Sequence, residues 1–204
     1  SLFLRTSKHK PLSLRELLEQ KSFLDAPTYT SFPVGVDLAY GAIVQDLSEI
    51  KHFMIVGQSN ARLHLQLGIA LTLMMFNSPS YLRVALVGDD SNAFKHLAGS
   101  PHILGNIVKN VGGFRRLMDG LLKHVNQRRA ILKKQSASNL DEYNKQAISN
   151  QALKPLPRIL MLLDSVVLPN WVASQEQWLV AFHQLLVRGA EVGVHVVMTS
   201  STFD

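Results

Sequence analysis

"HFMIVGQSNARLHLQLGIAL", residues 52–71, is the stretch on which the fold turns. Its apolar run up to Gly57 has no polar alternation, the pattern of a strand covered on both faces, and predicts a central parallel strand. Beyond the glycine the apolar residues recur at helical spacing, which predicts a helix over 65–76. Strand, glycine turn and helix together have the local shape of a phosphate-binding loop, in which backbone N–H groups at a helix N-terminus cradle an anion. Such a loop carries Gly-Lys-Ser/Thr, whereas this chain has Arg62, Leu63 and His64.

Upstream, "SLRELLEQ" (13–20) reads as a helix in which Ser13 is the N-cap and Glu16 closes a capping box. A loop containing Pro27 and Pro33 is expected next. "FPVGVDLAYGAIVQDLSEI" then predicts two short strands in a hairpin, broken at Gly35 and Gly41. Downstream, 81–88 predicts a second buried strand, and "SNAFKHLAG" a short helix capped by Ser91 and stopped at Gly99. The longest helical pattern runs over 113–135, with Phe114, Leu117, Met118, Leu121, Leu122 and Val125 on one stripe. "LDEYNKQ" adds a turn or two, 158–168 is a third strand, 174–188 a helix, and "GVHVVMTSS" a fourth strand. Alternating strands and helices imply an α/β fold with a mostly parallel sheet flanked by helices on both faces.

The chain has 204 residues, 47% of them hydrophobic and 18% charged, a globular balance with enough length for one full core. No apolar run is long enough to span a bilayer, and the start lacks the order of a signal peptide. Absence of cysteine excludes disulfides, zinc–thiolate sites and cysteine nucleophiles, and fits a cytoplasmic compartment. A net charge of +6 suits either a polyanionic partner or an ordinary basic surface. None of the eight histidines has metal-ligand spacing with a carboxylate, and no Gly-x-Ser-x-Gly elbow supports a serine hydrolase.

The chemistry of a phosphate-binding loop needs a lysine on the β/γ-phosphates and a hydroxyl on Mg²⁺. It also needs a carboxylate from a second strand. Gly57 opens the turn and Asp164 ends the strand "ILMLL", but Leu63 has no charge and His64 is a poor ligand for a hard cation. Taken singly, Gly57 reads as a turn glycine and Asp164 as an exposed residue at a strand's end.

The order of several segments goes further. "FPVGVDLAYGAIVQDLSEIKHFMIVG" resembles the segment that leads into the phosphate-binding loop of the FtsK/SpoIIIE DNA translocases. "LAGSPHIL" is similar to that family's "YEGIPHLL". "VNQRRAILKKQSASNLDEYNKQ" keeps its Arg128-Arg129 and Tyr143-Asn144 pairs, "LPRILMLLDSVVL" resembles its Walker B strand, and "GVHVVMTSSTFD" its closing strand. The likeness runs from about Leu14 to the end of the chain. It implies a RecA-like P-loop NTPase core over 51–204, truncated at its C-terminus relative to the family, with an N-terminal helix and β-hairpin extension over 1–50. For the family, ATP and Mg²⁺ are the expected cofactors. The degenerate loop comprises Gly57, Gln58, Ser59, Asn60, Ala61, Arg62, Leu63 and His64. The family's glycine, lysine and serine fall on the last three, its Walker B aspartate on Asp164 and its catalytic glutamate on Ser165. The glutamine and arginine after the last strand become Ser201 and Thr202, and the aspartate and lysine after the second strand become Gly88 and Asp90. Loss at so many positions implies a motor domain without ATP hydrolysis.

The expected role is a non-catalytic ring subunit or interaction module in a DNA-handling assembly. Two alternatives are an ATP-dependent translocase with an atypical site, and a degenerate type VII secretion module that binds export substrates. The implied partners are further copies or related subunits, double-stranded DNA or a protein substrate. Membrane attachment would come through segments outside this chain. The cations of the long helix (Arg115, Arg116, Lys123, His124, Arg128, Arg129, Lys133 and Lys134, against Asp119) read as a solvated face in preference to a phosphate-contacting one. Arg188 is expected at an interface or the surface, and His52, His102 and His195 are expected to be structural.

Overall fold

The computed structural model describes residues 12–25, 28–37, 39–88, 92–164 and 177–201. Its centre is a four-stranded parallel sheet in the order β3-β6-β5-β4, formed by Phe53–Val56, Val194–Ser200, Arg158–Asp164 and Leu82–Val87. β5 lies inside the sheet and is buried at every residue. Side chains alternate between faces along a strand, so the sheet has two cores. Leu82, Val84, Leu86, Leu160 and Leu162 meet Ile69, Ala70 and Leu73 of α4 (Ser59–Phe76). On the other face Ala85, Val87, Met161 and Leu163 meet Phe114, Met118, Leu121 and Val125 of α6 (Val111–Lys134) and Leu185 of α8 (Gln177–Arg188). The remaining helices are short: α1 (Leu14–Leu18), α2 (Lys21–Leu24), α3 (Leu47–Ile50), α5 (Asn92–Lys95) and α7 (Leu140–Ser149).

The Ser13–Glu16 capping box forms at α1. The hairpin is present as β1 (Ser31–Asp37) paired antiparallel with β2 (Gly41–Asp46). Its closing Asp46 caps α3. Burial works against the charge there, but hydrogen bonds from Ser48, Thr28 and Thr30 hold the carboxyl down to about 2.

Four expectations need correction. Pro33 lies inside β1 and not in a loop; the pairing register shifts between Pro33 and Gly35, and such a bulge accommodates a residue without an N–H. β3 lies at the edge of the described sheet, paired with β6 alone, and Met54 is 45% exposed. Its apolar run reports cover and not position: the hairpin shields it, with Phe53 packed edge-on to Phe32 at 6.0 Å. The helix after the turn starts at Ser59, six residues earlier than 65. Arg128 points inward from α6, where its Nη1 donates to the Val192 carbonyl at 2.9 Å. Burial lowers its pKa to about 10, so it stays charged at neutral pH. The Ser91 cap falls outside the described residues, as does the strand reading beyond Asp164.

At the amino ends of β3 and β6 the chain makes a strained turn. Lys51 has φ 63° and ψ −64°, and the His52 N–H reaches back to the Ile50 carbonyl at 2.7 Å, the geometry of a γ-turn with positive φ. Buried His195 holds this turn: its Nδ1 donates to the Lys51 carbonyl at 2.7 Å, and its Nε2 accepts from Arg158 at 3.2 Å. Arg158 in turn pairs with Asp141 of α7. His52 accepts from the Val196 N–H and donates to the Leu186 carbonyl. His102 bonds the Asn77 carbonyl at 2.8 Å. All three histidines therefore serve the fold.

Burial and the nearby Arg158 charge push the His195 pKa down to about 3, and burial also lowers that of His52. Between that value and the ordinary 6.5 the unfolded chain binds a proton that the folded chain does not. Stability is therefore full above 6.5 and is lost as pH falls. Urea unfolding at pH 7 and pH 5 is expected to show a loss of about 2 kcal/mol from His195, and more with His52. An equal midpoint at both pH values contradicts this burial of a neutral imidazole.

Candidate nucleotide site

The carboxyl ends of β3, β6 and β5 come together at Gly57, Ser200 and Asp164, where an open α/β sheet offers its crevice. The Gly57 N–H donates to the Ser200 carbonyl at 3.2 Å, fixing the loop to β6. Gln58 is the N-cap of α4 without a side-chain cap bond, and Asn60 and Ala61 lie exposed in its first turn. Ser59 begins the helix.

Arg62 is 4% exposed. Its side chain folds back beneath the loop, and Nη1 donates to the Gly57 carbonyl at 3.1 Å, while Nε has no partner among the described residues. Leu63 is half-buried and His64 exposed. The structure thus brings Gly57 and Arg62 together and leaves His64 facing solvent.

Asp164, expected to be exposed, is 3% exposed, and its Oδ1 accepts from Thr199 Oγ1 at 3.0 Å. Gln66, buried one turn after Arg62, donates through Nε2 to the carbonyls of Leu163 (3.2 Å) and Val197 (2.8 Å), tying α4 to β5 and β6. Sequence reading missed Gln66 and Thr199. A signal existed: Arg62, Gln66, Ile69 and Leu73 lie at helical spacing on the stripe of α4 that faces the sheet, so two polar residues occupy core positions.

Gly88 follows β4 and sits against Phe94, which is wholly buried. A Cβ at Gly88 would lie 2.8 Å from the Phe94 ring and 3.6 Å from Asp164 Cβ. Ser201 is exposed; Asp90, Ser165 and Thr202 lie outside the described residues. At the opposite, amino end of the sheet an open groove of about 1190 Å³ is lined by Phe23, Leu24, Tyr29, Phe76, Tyr81 and Ile148 together with polar groups that include Arg158 and Lys145.

Among the described residues no three His, Asp or Glu side chains gather as a metal site, and no helix is long and apolar enough to cross a membrane. The Gly88 contact is testable. Gly88→Ala is expected to lower stability by about 1–3 kcal/mol in urea unfolding, because a ring with no room must move. Gly88→Asp should cost more, since a second carboxylate then lies beside Asp164. Wild-type stability in both variants contradicts the packing.

Residues 13–202 match the model of the FtsK/SpoIIIE family. The chain is 22% identical over 161 residues to DNA translocase FtsK of Helicobacter pylori strain J99, which covers 78% of this chain and 19% of the relative. Against DNA translocase FtsK of Campylobacter jejuni strain 81-176 it is 21% identical over 190 residues, 92% of this chain and 20% of the relative. The chain therefore spans about a fifth of the length of these relatives. Among solved structures, the cytoplasmic domain of the Thermomonospora curvata type VII secretion ATPase EccC superposes with a TM-score of 0.72 at 20% identity, over 95% of this chain and 23% of that one. The pCW3 conjugation coupling protein TcpA superposes at 0.65 and 19% identity, over 88% of this chain and 50% of that one. These likenesses bear out the RecA-like P-loop NTPase fold, and by its sequence the chain belongs to the FtsK/SpoIIIE family.

Proposed function

We propose that this chain is an FtsK/SpoIIIE-type motor fold that has lost ATP hydrolysis and acts as a non-catalytic ring subunit or interaction module in a DNA-handling assembly. The observation that carries this reading is Arg62. The family places a glycine there, so that the loop backbone can close around phosphate. Here a long side chain lies buried under the loop, bonded to the Gly57 carbonyl.

The surrounding donor set does not fit Mg-ATP. Leu63 supplies no cation for the phosphates, and imidazole at His64 suits Mg²⁺ poorly. Asp164, bonded to Thr199 through Oδ1, is the retained acid of the set, but the lysine and hydroxyl that act beside such an acid are missing. Phosphoryl transfer rests on positioned charge, so replacing its charged groups removes the rate enhancement even where the backbone survives.

A second reading, a module that binds a protein segment as proposed for a type VII secretion assembly, has one observation in its favour. The groove at the amino end of the sheet exposes Leu24, Tyr29, Phe76, Tyr81 and Ile148 together. The absence of ATP turnover is common to both readings.

Calorimetric titration with Mg-ATP is expected to give no saturable heat and phosphate release no turnover; saturable micromolar binding would contradict the dead site, and turnover would falsify the proposal. The triple variant Arg62→Gly, Leu63→Lys, His64→Ser should acquire nucleotide binding without turnover, because Ser165 still stands where the family has its glutamate. Sizing at several concentrations tests the ring role, which a strict monomer contradicts.

A further inference from the structure

The groove at the amino end of the sheet is lined by polar groups whose bonds are already made. Asn77, at the end of α4, donates to the carbonyls of Tyr29 (2.9 Å) and Leu73 (2.8 Å). Asn144 uses both ends of its amide on the Leu156 backbone. The hydroxyls of Thr28, Thr30 and Ser48 donate to Asp46, and Asp141 pairs with Arg158. These bonds fix the lining and leave it few polar groups to offer a ligand.

What the groove does offer is apolar surface and one extra cation. Leu24, Tyr29 and Ile148 are 68%, 75% and 73% exposed, and Phe76 and Tyr81 add two more rings. A single exposed apolar side chain is ordinary, but five gathered in one concavity mark a binding site. Phe23 packs against Phe76 with ring centroids 5.8 Å apart, so this part of the lining is preformed. Asp141, Lys145 and Ile148 lie at helical spacing on one exposed face of α7. Arg158 matches the charge of Asp141, whereas Lys145 makes no ion pair among the described residues. Glu142, three residues before it, accepts from the Ser138 N–H. Two cations against one acid leave the lining with one net positive charge.

The geometry points to a binding site for a long-chain carboxylate, with its alkyl body on these apolar side chains and its anionic head at Lys145. An extended peptide brings a donor and an acceptor at every residue, and a lining with its amides and carboxylates committed has few partners to return. An alkyl chain makes no such demand. The single unmatched cation suits one anionic head and repels a cationic one. The groove is that of the second reading, with a small molecule in place of a protein segment. It lies at the opposite end of the sheet from Gly57 and Arg62, so the site stands whether or not the proposed loss of hydrolysis holds.

Calorimetric titration of the chain with dodecanoate, kept below its micelle concentration and without nucleotide, tests the site. Dodecyltrimethylammonium carries the same tail with the opposite head, and acetate the head without the tail. Lys145→Glu and Ile148→Asp alter exposed side chains of α7, Lys134→Glu on α6 is the charge control, and circular dichroism melts check that all three fold. Dodecanoate is expected to bind saturably, one per chain, and acetate not at all. Lys145→Glu should weaken dodecanoate by about tenfold and favour dodecyltrimethylammonium, because attraction of the head turns into repulsion. Ile148→Asp should weaken both amphiphiles, and Lys134→Glu neither. Absence of saturable dodecanoate binding overturns the inference and leaves the groove to a protein segment. Equal binding of the two amphiphiles by the unaltered chain, or dodecanoate affinity unchanged by Lys145→Glu or Ile148→Asp, overturns it as non-specific uptake.

Discussion

A parallel sheet has no face to leave in water, and β5 shows the consequence most fully, since all seven of its residues are buried. Each strand that flanks it must bring a helix across one face before the next strand can pair. The order β3-β6-β5-β4 follows, with α4 on one side and α6 and α8 on the other. The same constraint decides where chemistry can occur. With both faces largely sealed, polar side chains gather mainly at the ends of the strands, and the crevice at the carboxyl ends is formed by Gly57, Asp164 and Ser200.

In that crevice the chain pairs several of its own polar groups, while Arg62 Nε and Gln66 Oε1 have no partner among the described residues. Buried donors and acceptors are costly when unpaired, which gives each internal bond there its weight. Gln66 spans β5 and β6 through two carbonyls, Thr199 donates to Asp164, and Arg62 donates to Gly57. At Gly88 the space beside the strand is taken by Phe94. The Gln66 and Thr199 bonds join residues far apart in sequence, whereas Arg62–Gly57 and Gly88–Phe94 are local, and together they support the proposed reading of a motor fold whose site has become structure.

The elements were legible because periodicity acts locally. The capping box at Ser13, the hairpin after it, the strand before Gly57 and the stripe of α6 each carry their signal within a few residues. What was not legible depends on the partner across the gap. The run "FMIV" shows that β3 is shielded, but not that the shield on one side is a hairpin carrying Phe32. Arg128 looks like one more surface cation until Val192 presents a carbonyl to it. The inward turn of Arg62 was half visible, since it shares a helical stripe with Gln66, Ile69 and Leu73. Its bond to Gly57 depends on the loop conformation, which spacing alone does not report.

The two ends of the sheet differ in how they use polar groups. At the amino end His195, Arg158 and Asp141 form a relay that holds the γ-turn at Lys51 and anchors α7. A turn of that kind costs roughly 1–3 kcal/mol, and persists because several buried bonds determine it at once. The relay thereby fixes the turn that leads from α3 into β3, the strand whose carboxyl end runs into Gly57. The loop at Gly57 is thus joined through β3 to a hydrogen-bonded network at the opposite end of the sheet. If the loop has lost the chemistry of phosphate binding, as proposed, a backbone held by the sheet accounts for that loss leaving the fold intact.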